Sequence, residues 1–205
     1  QGKHNIVQQL NQFNIQDILF SEPIKNTVID NSKFIRIFSS DENIIINMKM
    51  NAKKVADRWS KNVVGEIIGS KYPEQIIIVG GHIDSWDIGQ GAHDDGGACI
   101  AAWEVLRTLK KLNLKPKRTI RCVLWTNKEN GLAGAKAYKK MYHEDLKNHI
   151  LAIESDEGVF SPLGFGFSGS PRARTIIKNI HKLLAPIGAN KIFNGGRTAD
   201  LATLN

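Results

Sequence analysis

The sequence predicts an α/β fold: a mostly parallel sheet with helices on both faces. Three observations carry this expectation. First, IIIVGGHID (76–84), TIRCVLWT (119–126) and HILAIESD (149–156) are apolar runs closed by polar residues, the pattern of strands covered on both sides. Second, segments with apolar residues at helical spacing, 96–112, 131–146 and 170–188, follow each run in turn. Third, strands alternating with helices in this way form parallel pairs joined by helical crossovers.

The remaining segments are read in chain order. Residues 1–45 are rich in Asn, Gln and Ser and show no core pattern. IIINMKM (44–50) and VVGEIIGS (63–70) read as two further strands, and GSKYPEQ (69–75) as a loop. The helix over 96–112 carries lysines at its C-terminal end, where they complement the helix dipole. KPKR (115–118) is a loop, and Pro186 and Gly188 end the helix that begins near 170.

Composition excludes several function classes. The 205 residues suffice for one domain with a core, or a domain plus part of another. The net charge of +8 raises the question of nucleic acid, but the lysines are dispersed and no aromatics interleave with them. They read as a solvated face, so no nucleic-acid partner is expected. No apolar run is long enough to cross a membrane, and no membrane partner is expected. Cys99 and Cys122 both sit in apolar contexts and read as buried thiols rather than a disulfide.

Acids cluster where the strands end. The first central strand closes on His82 and Asp84, and the loop after it holds Asp94 and Asp95. Glu129 follows the second strand; Glu154 and Asp156 end the third. Parallel strands place all these ends on one edge, the edge at which open α/β sheets bind ligands. One His with several carboxylates suits zinc or another divalent ion. Residues two apart on extended chain face the same way, so we assign ligation to His82 and orientation of its imidazole to Asp84. Asp94, just before a helix, is placed to bridge two ions. Any one of these acids alone would read as a loop residue or a helix cap; the set, joined by a His, does not.

The motifs GGHIDSWDIGQG (80–91) and HDDGG (93–97), continued by KPKRTIRCVLWTNKENG (115–131) and ESDEGVFSPLGFGFSGS (154–170), resemble the co-catalytic zinc exopeptidases of the carboxypeptidase Q type. The likeness covers roughly 45–205 and implies a zinc-exopeptidase-like (phosphorylase/hydrolase-like) fold, a peptidase acting on dipeptides or small peptides, and two Zn²⁺ per site. It implies that His82, Asp94 and Asp156 hold one ion, and that Asp94 bridges to a second ion bound by Glu129. The second ion's remaining family ligand is a downstream His, so one retained Zn²⁺ is expected here. Residues 1–45 are expected to be the remnant of a preceding or inserted lid-like region and 46–205 a partial catalytic domain, incomplete at both ends. The resemblance also implies secretion or the lysosome, and a possible homodimer. GGRTAD (195–200) weakly matches a family loop near the site, which brings Asp200 into view. Substrate-binding residues are not readable.

One position departs from the family. The ligand Glu is ordinarily preceded by a second Glu, the general base; here that residue is Lys128. An ammonium has no lone pair with which to accept a proton, and losing a positioned acid/base costs ~10²–10⁴-fold in rate. Lys128 also sets a positive charge beside the ions and weakens their binding. Burial and neighbouring cations are expected to lower its pKa. The alternatives are a catalytically inactive relative that keeps the fold and a metal, and a fragment with no independent role.

Overall fold

The computed structural model describes residues 56–86, 89–156, 160–196 and 199–204, and the backbone of strands at 18–21 and 45–48. The chain divides into two units, Gln1–Arg58 and Trp59–Asn205. In the first, β1 (Ile18–Ser21) pairs antiparallel with β2 (Ile45–Met48). The strand expected over 44–50 is found at Ile45–Met48, paired with β1 of the N-terminal unit. The lid-like remnant expected over 1–45 otherwise lies outside the described residues.

The second unit is built on a four-stranded sheet of β3 (Val63–Ile67), β4 (Tyr72–His82), β5 (Arg118–Trp125) and β6 (His149–Glu154), in the order β3-β5-β4-β6. β4 runs parallel to both β5 and β6, while β3 lies antiparallel along the outer edge of β5. The continuous apolar runs thus occupy the parallel positions, and the mostly exposed β3 forms an edge. Helices α1 (Gly97–Lys111), α2 (Ala133–Met141) and α3 (Pro171–His181) follow β4, β5 and β6 in the chain.

Alternation along the central strands sends side chains to opposite faces. On one face Ile76, Ile78, Val123 and Trp125 pack with Ala135 and Tyr138 of α2. On the other, α1 buries only the small residues Ala98, Cys99 and Ala102. Small side chains let α1 come close, and Gly81 is what receives it. A Cβ there would stand 2.7 Å from Asp95 Oδ2 and 2.9 Å from the Cys99 nitrogen. Helices on both faces are therefore found as the apolar runs implied. Both cysteines are buried and free, and the Cys99 thiol donates to the His82 carbonyl at 3.1 Å.

Under α2 a polar chain crosses the sheet. Arg121 donates through Nε to Glu66 Oε2 at 2.8 Å and through Nη1 to the Tyr138 hydroxyl at 2.7 Å. Tyr138 Oη lies 2.8 Å from His149 Nε2, and His149 Nδ1 lies 2.9 Å from the Asp145 carbonyl. A carbonyl only accepts, so Nδ1 carries the proton and Nε2 accepts from the tyrosine. Burial holds His149 below the usual histidine range, in keeping with that neutral form.

Two features depart from the sequence reading. A parallel pair, β7 (Gly164–Phe167) and β8 (Lys191–Asn194), flanks α3. Strands of four residues, one of them half glycine, leave too little pattern to detect. The helix expected over 170–188 stops at His181 and tightens into a 3₁₀ segment, Lys182–Ile187, because Pro186 cannot donate to an α-helical ladder. Its start is as the sequence suggests: the Ser170 side chain caps Ala173 N–H at 3.2 Å and Pro171 takes the first helical position.

Removing the Tyr138 hydroxyl should leave Arg121 and His149 each short of a partner. Tyr138→Phe is expected to cost ~1–3 kcal/mol in denaturant unfolding, with zinc binding unaltered. A variant as stable as wild type would show that water replaces the hydroxyl.

Candidate metal centre

The sheet register assembles the site. β4 and β6 are parallel with Gly80 opposite Glu154, so two residues further on His82 and Asp156 arrive at the same level. On the other side His82 pairs with Trp125, and the loop after β5 carries Lys128 and Glu129 to the same rim. Asp94 and Asp95 come from the irregular turn Ala92–Gly96 ahead of α1, joined by a cis peptide.

The His82 imidazole is wholly buried and held at every polar atom. Its backbone N–H donates to Asp95 Oδ2 at 2.8 Å. Nδ1 donates to the Asp84 carbonyl at 2.8 Å, which turns Nε2 outward. Nε2 then meets Asp94 Oδ1 and Asp156 Oδ1, each at 3.0 Å. In the neutral ring Nε2 is a lone pair, so three acceptors face one another. Such a cluster needs a proton or a cation between them. Burial works to lower the His82 pKa, but the bond to Asp156 and the Asp84 carbonyl outweigh it and hold the ring at about 9. Asp156 is pulled below the usual carboxylate range: burial opposes this, but His82 and Lys128 prevail. One imidazole nitrogen and two carboxylate oxygens, all within 4.8 Å of one another, fit a divalent ion such as zinc.

The other predicted residues take different places. Asp84 orients the imidazole through its carbonyl rather than its carboxylate, which stands 3.7 Å from Nδ1. Its carboxylate instead accepts the backbone N–H of Lys128 at 2.9 Å and of Glu129 at 3.1 Å, clamping the loop that presents both. Glu129 stands apart from the three-residue cluster. Its Oε1 is buried without a hydrogen bond, 3.7 Å from Lys128 Nζ. Burial raises Glu129, with Lys128 opposing.

The surroundings of Lys128 act on its pKa in opposite directions. Burial does work to lower it, but the hydrogen bond and charge of Asp156, with Glu129 and Asp94 beyond, leave it raised. Its Nζ lies 2.8 Å from Asp156 Oδ1. The lowering expected from metal ions concerns the loaded site; the three acids act on the lysine apart from them.

Three acids near the rim had no assigned role or little weight. Asp95 anchors the end of β4, and burial pushes its carboxyl up to about 6. Glu154 turns from the cluster and accepts Leu201 N–H at 3.3 Å. Asp200 is fully buried, with neither oxygen hydrogen-bonded. Burial raises both carboxyls, and the charge of Asp200 raises Glu154 further. The signal in the sequence was an acid following a Gly-rich loop, too weak alone to carry a role. His93, next to Asp94, is exposed and stacks on Phe160 at 5.4 Å.

A mixed α/β sheet whose strand ends gather an imidazole and carboxylates is the arrangement of a metal-dependent hydrolase. The chain belongs to peptidase family M28, whose model matches residues 62–199. Carboxypeptidase Q of Rattus norvegicus is 45% identical over 85% of this chain, and that of Xenopus laevis 46% identical over the same share. The chain spans 37% of the length of each of these relatives. Among solved structures, a peptidase M28 precursor from Shewanella amazonensis superposes with a TM-score of 0.72 at 30% identity, covering 90% of this chain and 43% of the other.

Equilibrium dialysis against zinc should show about one tight ion per chain, lost in His82→Ala. Two tight ions of equal affinity would contradict the ligand grouping. Asp84→Asn should retain the ion yet loosen the 128–129 loop, seen as faster amide hydrogen exchange there.

Proposed function

We propose that this protein is a zinc metallo-exopeptidase that hydrolyses the peptide bond of dipeptides or small peptides, with proton transfer impaired by Lys128. The observation that carries the reading is the meeting of His82 Nε2 with Asp94 and Asp156 Oδ1 at 3.0 Å, in a chain of family M28. His82, Asp94 and Asp156 would hold one ion; Asp94 and Glu129 would serve a second, as the family resemblance implies. Bound zinc supplies Lewis-acid polarisation of the scissile carbonyl and lowers the pKa of water.

The chain's own residues account for the remaining requirements. Asp84 fixes the loop so that residues 128 and 129 face the rim. A cavity of about 1050 Å³ opens beside Asp156, with Ile100, Leu151, Phe165 and Phe167 among its walls. It offers room for an apolar portion of a peptide next to the acids. At position 128 a carboxylate would take the proton of the attacking water and pass it to the leaving amine. The ammonium, hydrogen-bonded to Asp156, has no free electron pair for that step. That same ion pair favours a second reading: a relative that binds metal and peptide without turnover. On resemblance alone we extend the proposal to secretion or lysosomal delivery and to a homodimer.

Dipeptide hydrolysis by the complete zinc-loaded gene product separates the two readings. Lys128→Glu is expected to raise kcat by ~10²–10⁴-fold over wild type with KM little changed. Efficient turnover by wild type would remove the second reading. A Lys128→Glu variant that binds zinc and still does not turn over would remove the first.

A further inference from the structure

The geometry points to Lys128 as a tethered cation: its ammonium pairs with the acidic rim at the oxygen of Asp156 that faces His82, and competes there with a divalent ion. The inference rests on the metal site described above but not on peptide hydrolysis.

The contacts converge on one oxygen. Asp156 Oδ1 lies 3.0 Å from His82 Nε2 and 2.8 Å from Lys128 Nζ. An ion held between His82 Nε2 and Asp156 Oδ1 would compete for the oxygen that pairs with the ammonium. Nζ also lies 3.7 Å from Glu129 Oε1 and 4.0 Å from Asp94 Oδ1, so it stands within ion-pair reach of every carboxylate assigned to metal. The lysine is not a solvated bystander, since its side chain is 16% exposed, against 13% for Asp156 and 7% for Glu129. Its backbone cannot drift, because Asp84 Oδ1 accepts its N–H. Glu129 Oε1, buried and without a hydrogen bond, has this ammonium as a charged neighbour. A positive group pinned among three acids neutralises the repulsion that otherwise builds where a metal is absent. It also makes metal binding an exchange of one cation for another rather than a simple addition.

Removing the charge should thus have two effects of opposite sign. Without zinc, Lys128→Met leaves the acids uncompensated, and the melting temperature falls. With zinc, the same variant no longer competes, and the dissociation constant from titration calorimetry drops by roughly 10–100-fold. A purely structural lysine would give the first effect without the second. Lys128→Gln provides a second uncharged variant of similar length.

Wild type alone supplies an independent readout. Reductive methylation followed by mass spectrometry should label Lys128 slowly in the metal-free protein and several-fold faster with zinc, as Nζ swings to solvent. This measurement decides the matter even if neither variant folds. Zinc bound equally by all three proteins, or methylation of Lys128 unmoved by zinc, overturns the inference and leaves the metal site standing. No zinc binding in any of them overturns both.

Discussion

A wholly buried imidazole facing two carboxylate oxygens is the constraint on which the rest of this structure depends. Because Nδ1 is committed to the Asp84 carbonyl, Nε2 is the ring atom that faces the acids, donating to them when protonated and offering its lone pair when a cation is bound. Acceptors at 3.0 Å from one another repel unless a proton or a cation lies between them. Against burial, the acids hold the His82 ring at about 9 and pair with the Lys128 ammonium, so the rim is built to take positive charge.

The supporting structure explains how the cluster is held in place. Gly81 admits Asp95 and the start of α1 against β4, and Asp95 then secures the His82 backbone. The small residues of α1 keep that approach close, while α2 seals the opposite face with Trp125 and Tyr138. His82 is thus carried on the central strand of the sheet, between β5 and β6, rather than on a flexible loop. Asp84 serves twice, its carbonyl orienting the imidazole and its carboxylate tying down the loop after β5. A ligand and its neighbouring loop therefore share one anchor, so that displacing either disturbs the other.

Lys128 stands where the family resemblance implies a carboxylate. A carboxylate at that position would add to the negative field that draws divalent ions. The ammonium reverses its sign at a place where three acids surround it. Burial would favour a neutral amine, but the acids outweigh burial and keep the charge. In the proposals above, proton transfer and metal affinity both turn on this single charge.

Much of this was legible without coordinates. Continuous apolar runs identify strands covered on both faces, and their alternation with helical segments dictates a parallel sheet; from that alone, His82, Asp84, Asp94, Asp95, Glu129, Glu154 and Asp156 are expected on one rim, and only the family resemblance singles out His82, Asp94 and Asp156. The short strands flanking α3 escaped because four residues carry too little periodicity, and the antiparallel direction of β3 because strand polarity leaves no trace in composition. The role of the Asp84 carbonyl was hidden since every residue has one, and only a folded backbone decides which carbonyl meets the imidazole. The strength of the acids' pull on Lys128 was likewise beyond the sequence, which names the charges nearby in the chain but not their distances. Residue order determined which chemical groups reach the rim; three-dimensional packing decided which oxygen each of them holds, because Coulomb and hydrogen-bond energies depend on separations that the chain sets only when it folds.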